Sequence, residues 1–231
     1  MKKTFIWFDL GYTLVYLPRE QVYRQFLEEN GINMSLEKLE RAYHATDKQF
    51  MREYPGALGK EVTTFMPWYI GVLNYKLGLQ FDLNKQSQRM QEIQHVRKQK
   101  WLPFPYSKKV LEQLKKHAIG IGLISNWDAS ARKVLEEGEL LPYFDHIVIS
   151  SEIGVEKPTE EIFLRAMRLA GLSPEECLYV GDNYYDDVVG SARVGMDSVL
   201  INRFGTYGIE ELTCEHIVTS IEEVPLLLLV K

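Results

Sequence analysis

The sequence predicts an α/β protein, a doubly wound parallel sheet interrupted by an inserted α-helical domain. Three observations predict it. A short apolar run at residues 4–8 (TFIWF) stops at an aspartate, Asp9. Between Pro18 and about Lys100 the periodicity is helical, without a convincing strand. From Ser107 onward, helix-like and strand-like patterns alternate.

The opening run is rich in aromatic and β-branched residues, as a buried strand is, and it places a carboxylate where that strand ends. Within the helical stretch, Asn30-Gly31 and Gly78 are stop signals, and Ser35 is placed to cap a helix whose Leu36, Leu39, Tyr43 and Phe50 share a face. Val72, Tyr75 and Leu79 form a second stripe, and both stripes predict helix packing. Pro103-Phe104-Pro105 breaks helicity and suits a stiff connector into another layer. The expected division is therefore a core of residues 1–15 and 102–231 around a helical cap of residues 16–101.

The core pattern then runs helix 107–117, strand 119–124, helix 130–137, strand 146–149, helix 160–170, strand 177–180, helix 186–193 and strand 198–201. Strands separated by helices need crossover connections, which give a parallel sheet covered on both faces. With the N-terminal strand added, the expected core is Rossmann-like.

Composition excludes several alternatives. A chain of 231 residues, 45% hydrophobic, can bury a substantial core. The formal net charge is -5 and the basic residues are dispersed, so nucleic acid is not an expected partner. Cys177 and Cys214 read as ordinary core thiols rather than a disulfide framework. The apolar stretch before Asp9 is shorter than a signal-peptide core, and residues 226–230 (LLLLV) are far short of a membrane span. No membrane partner and a cytoplasmic location are expected.

In such sheets, ligands bind at the carboxyl ends of the strands. Four predicted strand ends carry polar chemistry: Asp9, Ser125-Asn126, Lys157-Pro158, and Asp182 with Asp186-Asp187. Singly, each has a plain structural reading, as turn residue, helix cap, solvated surface charge, or charges complementing a helix dipole. Their joint order, carboxylate, hydroxyl, lysine and acidic cluster, each at a strand end, is what is specific.

The segments FDLGYTL, LISN, EKPTEEIF and GDNYYDDVVGSARVG resemble, in order, the four motifs of the haloacid dehalogenase-like superfamily. The helical stretch is similar in position to the cap of that superfamily's first subclass. The resemblance implies a hydrolase in which Asp9 is the nucleophile, with a small phosphorylated metabolite as substrate and an aspartyl-phosphate intermediate. An aspartate can attack phosphorus only if the charge between two anions is neutralised, which implies Mg²⁺. Hard oxygen ligands for it are implied at Asp9, the backbone carbonyl of Gly11, Asp182 and Asp187. Asp187, five residues after Asp182, matches the family position better than Asp186, and the adjacent carboxylates leave that choice open. Lys157 is implied as the cation that neutralises Asp9 and the transferring group, while Ser125, Asn126 and nearby amides form the anion cradle.

One position departs from the phosphatase pattern. A second aspartate usually follows the nucleophile by two residues, and here that residue is Gly11. A positioned acid and base is worth roughly 10² to 10⁴ in rate. Three readings follow. In the first, a phosphatase uses another group for the proton transfer, such as Tyr12, His44 or a cap-held water, or acts on a leaving group that needs little help. In the second, a metal-independent 2-haloacid dehalogenase has a leaving halide that needs no proton, which accounts for Gly11 but not for Asp182. In the third, the chain is a module that binds a phosphorylated ligand without turnover. The phosphatase is preferred, with substrate choice expected from the helical insertion.

Overall fold

A computed structural model describes residues 3–59 and 62–229, so Val230, the last residue of the apolar run at 226–230, lies outside it. The chain begins with β1 (Phe5–Phe8) and the short β2 (Val15–Tyr16). Four helices follow: α1 (Arg19–Glu29), α2 (Leu36–Glu53), α3 (Val62–Leu77) and α4 (Leu83–Val96). Then come β3 (Leu102–Pro103), α5 (Ser107–Lys116), β4 (Gly120–Ser125), α6 (Ala131–Glu137) and β5 (His146–Ile149). The chain continues through α7 (Ser150–Ile153), α8 (Glu160–Ala170), β6 (Cys177–Gly181), α9 (Val189–Arg193), β7 (Asp197–Ile201), β8 (Ile217–Val218) and α10 (Val224–Leu229).

These elements form two compact units, one of residues 1–16, 102–206 and 211–231, the other of residues 17–101 and 207–210. In the first, the described strands form a six-stranded sheet in the order β5-β4-β1-β6-β7-β8, with every pairing parallel. The chain leaves β1 to build one side of the sheet and returns to build the other. The end of β1 is therefore the topological switch point, where open α/β sheets bind ligands. β1 is buried on both faces, as a central parallel strand must be. Its neighbour β4 carries Gly120 and Gly122 in register with Phe5 and Trp7. A Cβ at either glycine would overlap the ring of Phe5 or Trp7, so the glycines make room for those two side chains. The short β2 and β3 pair antiparallel, joining the two chain segments that flank the helical stretch.

The second unit is helical. Val22, Tyr23 and Phe26 of α1, Leu39, Tyr43 and Phe50 of α2, Tyr69, Ile70 and Leu73 of α3, and Met90 and Ile93 of α4 share one core. Ser35 caps α2, its hydroxyl accepting from the Lys38 amide at 3.3 Å. Of the expected stripe Val72, Tyr75 and Leu79, the first and last pack against this core, but Tyr75 is corrected: it is 86% exposed, and Phe65, Tyr69, Ile70, Leu73 and Leu77 form the buried face of α3. Buried aromatic and aliphatic residues recur along that face, and Tyr75 points away from it. Two polar clusters lie inside. Arg19 pairs with Asp47, which also accepts from the Tyr69 hydroxyl at 2.6 Å. The Tyr23 hydroxyl donates to Asn74, whose amide donates to Gln86 at 2.7 Å.

Residues 207–210 belong to this unit through local contacts. His44 donates from Nε2 to the Tyr207 carbonyl at 2.9 Å, and the Arg41 guanidinium lies 4.5 Å from the Tyr207 ring centre. Cys177 is buried as expected, whereas Cys214 is only partly buried, because it falls in a loop between β7 and β8 rather than in an element with a core face. Among the described residues no helix is long and apolar enough to cross a membrane.

Candidate active site

Asp9 follows β1 directly, and its amide donates to the Val180 carbonyl at 2.9 Å, continuing the parallel ladder by one residue. The side chain therefore emerges at the carboxyl edge between β4 and β6. There its Oδ1 accepts from Ser125 Oγ at 2.9 Å and from Lys157 Nζ at 2.8 Å. Among the described residues, no donor reaches Oδ2. Ser125 is the last residue of β4 and is 1% exposed.

Lys157 precedes α8, and its ammonium is almost wholly enclosed. It donates to Asp9, to Asp187 Oδ1 at 2.6 Å and to the Tyr179 hydroxyl at 2.8 Å, which accounts for its three protons. Burial opposes that charge, but Asp187 and then Asp9 outweigh it and hold the ammonium well above its usual range. Burial pushes the Asp9 carboxyl up, Lys157 opposes this, and Asp187 adds to the rise.

The acidic end of the site is shaped by a local change in the backbone. Instead of a continuous helix over 186–193, residues Tyr184–Val188 form one wide π-helical turn before α9. Asn183 holds its start, accepting on its side chain from the Tyr185 amide at 3.1 Å and the Asp186 amide at 3.4 Å. Such turns concentrate at functional sites because they redirect one side chain. Here Asp187 turns inward and accepts from the Asn183 amide at 2.9 Å, while Asp186 accepts from the Asn183 carboxamide at 2.8 Å. Burial, with further contributions from Asp187 and Asp9 against Lys157, raises the Asp186 carboxyl to about 7.

Carboxylate oxygens of Asp9, Asp182 and Asp187 all lie within 4.8 Å of one another. Asp9 and Asp187 share one lysine, and Asp182 adds a third carboxylate beside them, which leaves an excess of negative charge in a largely buried place. This donor set, hard and anionic, fits a divalent cation with oxygen preference.

The structure thus brings together Asp9, Ser125, Lys157, Asp182 and Asp187. Asn126 stands beside them but spends both side-chain atoms on the Lys157 backbone, accepting from its amide at 2.8 Å and donating to its carbonyl at 2.9 Å. Gly11 lies in the turn after β1, bridged to Val15. Tyr12 follows it in the left-handed region at φ 51, its amide bonded to the Val15 carbonyl at 2.7 Å. His44 belongs to the helical unit, with Nε2 engaged by Tyr207. Sequence reasoning missed Tyr179, which sits in the apolar run CLYVG and reads as packing. The available signal was its hydroxyl, which a buried strand position must satisfy.

The chain belongs to the haloacid dehalogenase-like hydrolase family, whose profile matches residues 8–201. It is 34% identical over 106 residues to the glyceraldehyde 3-phosphate phosphatase of Methanothermobacter thermautotrophicus, a match covering 43% of this chain and 45% of that protein. The match thus spans less than half the length of that relative. The like-named protein of Pyrococcus furiosus is 28% identical over 220 residues, covering 91% of this chain and 84% of its own. A 2-haloacid dehalogenase from Pseudomonas syringae pv. Tomato DC3000 shares the fold, with a TM-score of 0.56 at 22% identity over 99% of this chain and 98% of that one. At that identity the likeness speaks for the fold alone, so the chemistry has to be argued from the side chains.

Proposed function

We propose that the chain is a Mg²⁺-dependent phosphatase of small phosphate monoesters, working through an aspartyl-phosphate on Asp9. The observation that carries this reading is the approach of Asp182 and Asp187 to within 4.8 Å of Asp9, beside the Lys157 ammonium. A dehalogenase attacking carbon has no use for that acidic cluster. The phosphatase names of the two archaeal relatives support the same direction.

Asp9, Asp182, Asp187 and the Gly11 carbonyl would hold the cation, which when bound offsets the charge between nucleophile and phosphate. In this mechanism Asp9 Oδ2, the oxygen that accepts no hydrogen bond, attacks phosphorus while the bond to the leaving oxygen breaks. Ser125 and Lys157 hold Oδ1, and the positive charge of Lys157 beside the nucleophile offsets the charge that moves onto the phosphoryl oxygens. Asn126 fixes the Lys157 loop and contributes its backbone amide to the cradle. The leaving oxygen takes its proton from water, because Gly11 supplies none. A second water then attacks the acyl phosphate, releasing phosphate and restoring the carboxylate.

The helical unit serves in this reading as the cap that recognises the remainder of the substrate. The two free cysteines suit a reducing, cytoplasmic setting.

Release of nitrophenolate from an aryl phosphate tests the function, since that leaving group needs no acid. Turnover that requires Mg²⁺, stops with chelator and is abolished by Asp9→Asn is the expected result. Halide release from 2-haloacids in chelator, with no phosphate release, would overturn it.

A further inference from the structure

Tyr179 lies in the middle of β6, fully buried, with its ring edge-on to Phe163 at 5.3 Å between centres. Its hydroxyl accepts from Lys157 Nζ at 2.8 Å and donates to the Ile124 carbonyl at 2.8 Å. Ile124 immediately precedes Ser125, and Ser125 and Lys157 are the two donors to Asp9 Oδ1. The contacts close a ring. It passes from Asp9 to Lys157, to Tyr179, to the Ile124 carbonyl, and along the backbone through Ser125 back to Asp9.

Phenylalanine would fill nearly the same volume, so packing does not account for the hydroxyl. A buried phenol is costly unless its hydrogen bonds are made, and both made here serve residues of the site. An ammonium on a flexible four-carbon stem is not directed by its own geometry. Two of its acceptors, Asp9 and Asp187, change their surroundings when phosphate and cation arrive. Tyr179 is the acceptor that does not change.

We infer that Tyr179 is a positioning residue for phosphoryl transfer: it fixes the Lys157 ammonium and the Ser125 end of β4 together, so that Asp9 Oδ1 stays masked and Oδ2 faces the substrate. The inference rests on the phosphatase reading above. The hydroxyl acts through Lys157 and touches neither Asp9 nor the reacting atoms.

Two measurements test it. With the aryl phosphate and saturating Mg²⁺, Tyr179→Phe lowers kcat roughly tenfold, the worth of a hydrogen bond to a charged group, and leaves KM within about twofold. Phe163→Leu, which loosens the same packing without touching the hydroxyl, lowers the melting temperature and leaves kcat within about twofold. An unchanged kcat in Tyr179→Phe, an equal kcat loss in Phe163→Leu, or a Tyr179→Phe chain that does not fold would overturn the inference.

The second measurement is a denaturant double-mutant cycle with Lys157→Met, which needs no turnover. The cost of Tyr179→Phe shrinks in the Lys157→Met background to that of the lost bond to the Ile124 carbonyl if the hydroxyl acts on the ammonium, and fully additive costs would overturn the inference. A wild-type protein without phosphatase activity would instead defeat the functional reading, while the cycle still reports on the contact.

Discussion

Gly181 and the Asp187 carboxylate occupy adjoining space so closely that a Cβ on the glycine would overlap the carboxylate. The obstacle is a short side chain anchored by the Asn183 amide and Lys157, so it cannot swing aside cheaply. Gly181→Ala therefore displaces Asp187 from Asp9 and Asp182. The expected result is a rise of roughly tenfold or more in the Mg²⁺ concentration needed for half-maximal turnover. A titration of activity against Mg²⁺ checks this, and an unchanged midpoint would remove Asp187 from the ligand set.

Lys157→Met takes the shared cation from Asp9 and Asp187 inside a buried site. Losing one partner of a buried ion pair costs about 3–5 kcal/mol, so the melting temperature falls by several degrees. Because the variant leaves more unbalanced negative charge, Mg²⁺ should raise its melting temperature more than it raises that of the wild type. Thermal unfolding of both proteins with and without Mg²⁺ reads the difference. Equal shifts would mean that the lysine and the metal do not share those carboxylates.

Burial raises the Tyr23 phenol to about 12, with Gln86 opposing. The folded state keeps this proton at a pH where the unfolded chain, at the ordinary value of 10.0, releases it. The native state binds more protons in that window, so stability falls as pH rises. The contribution is complete below pH 10 and is lost between about 10 and about 12. Urea unfolding across this range should fall more steeply for wild type than for Tyr23→Phe, and parallel curves would refute the assignment.

The two faces of α3 give a direct contrast. Leu73 is fully buried, and Leu73→Ala should cost about 2–5 kcal/mol in urea unfolding. Tyr75 is 86% exposed, and Tyr75→Ala should stay within about 0.5 kcal/mol. A large cost at Tyr75 would restore the stripe expected from the sequence.

That contrast marks where the sequence is legible. Strand His146–Ile149 and helix Glu160–Ala170 have the expected bounds, and the first strand differs by one residue. Period and stop signals are local, and so are the elements they define. The meeting of Asp9, Ser125 and Asp182 also followed from sequence, because each stands at or one residue beyond the end of a visible strand, whereas Lys157 stands in the loop after β5 and the preference for Asp187 over Asp186 came with the family resemblance. The wide turn at Tyr184–Val188 was not visible, since a helical period cannot reveal a loosened ring of backbone bonds that Asn183 stabilises. The pairing of β2 with β3 involves two residues on each side, too few for any alternation. Tyr75 was placed inward because an aromatic residue carries both apolar area and a polar tip, and pattern alone gives it no unique side.

The allegiance of residues 207–210 has an evolutionary and engineering consequence. A helical insertion with one entry and one exit can be exchanged between relatives as a cassette. Here Tyr207, held by His44 and flanked by Arg41, and Gly208, close against Lys48, belong to the helical unit although more than a hundred residues separate them from its main segment. A chimaera that swaps residues 17–101 alone would leave this short segment facing foreign side chains. Drift in α2 is therefore tied to drift in a loop far along the chain, and the helical unit has to be moved as two pieces.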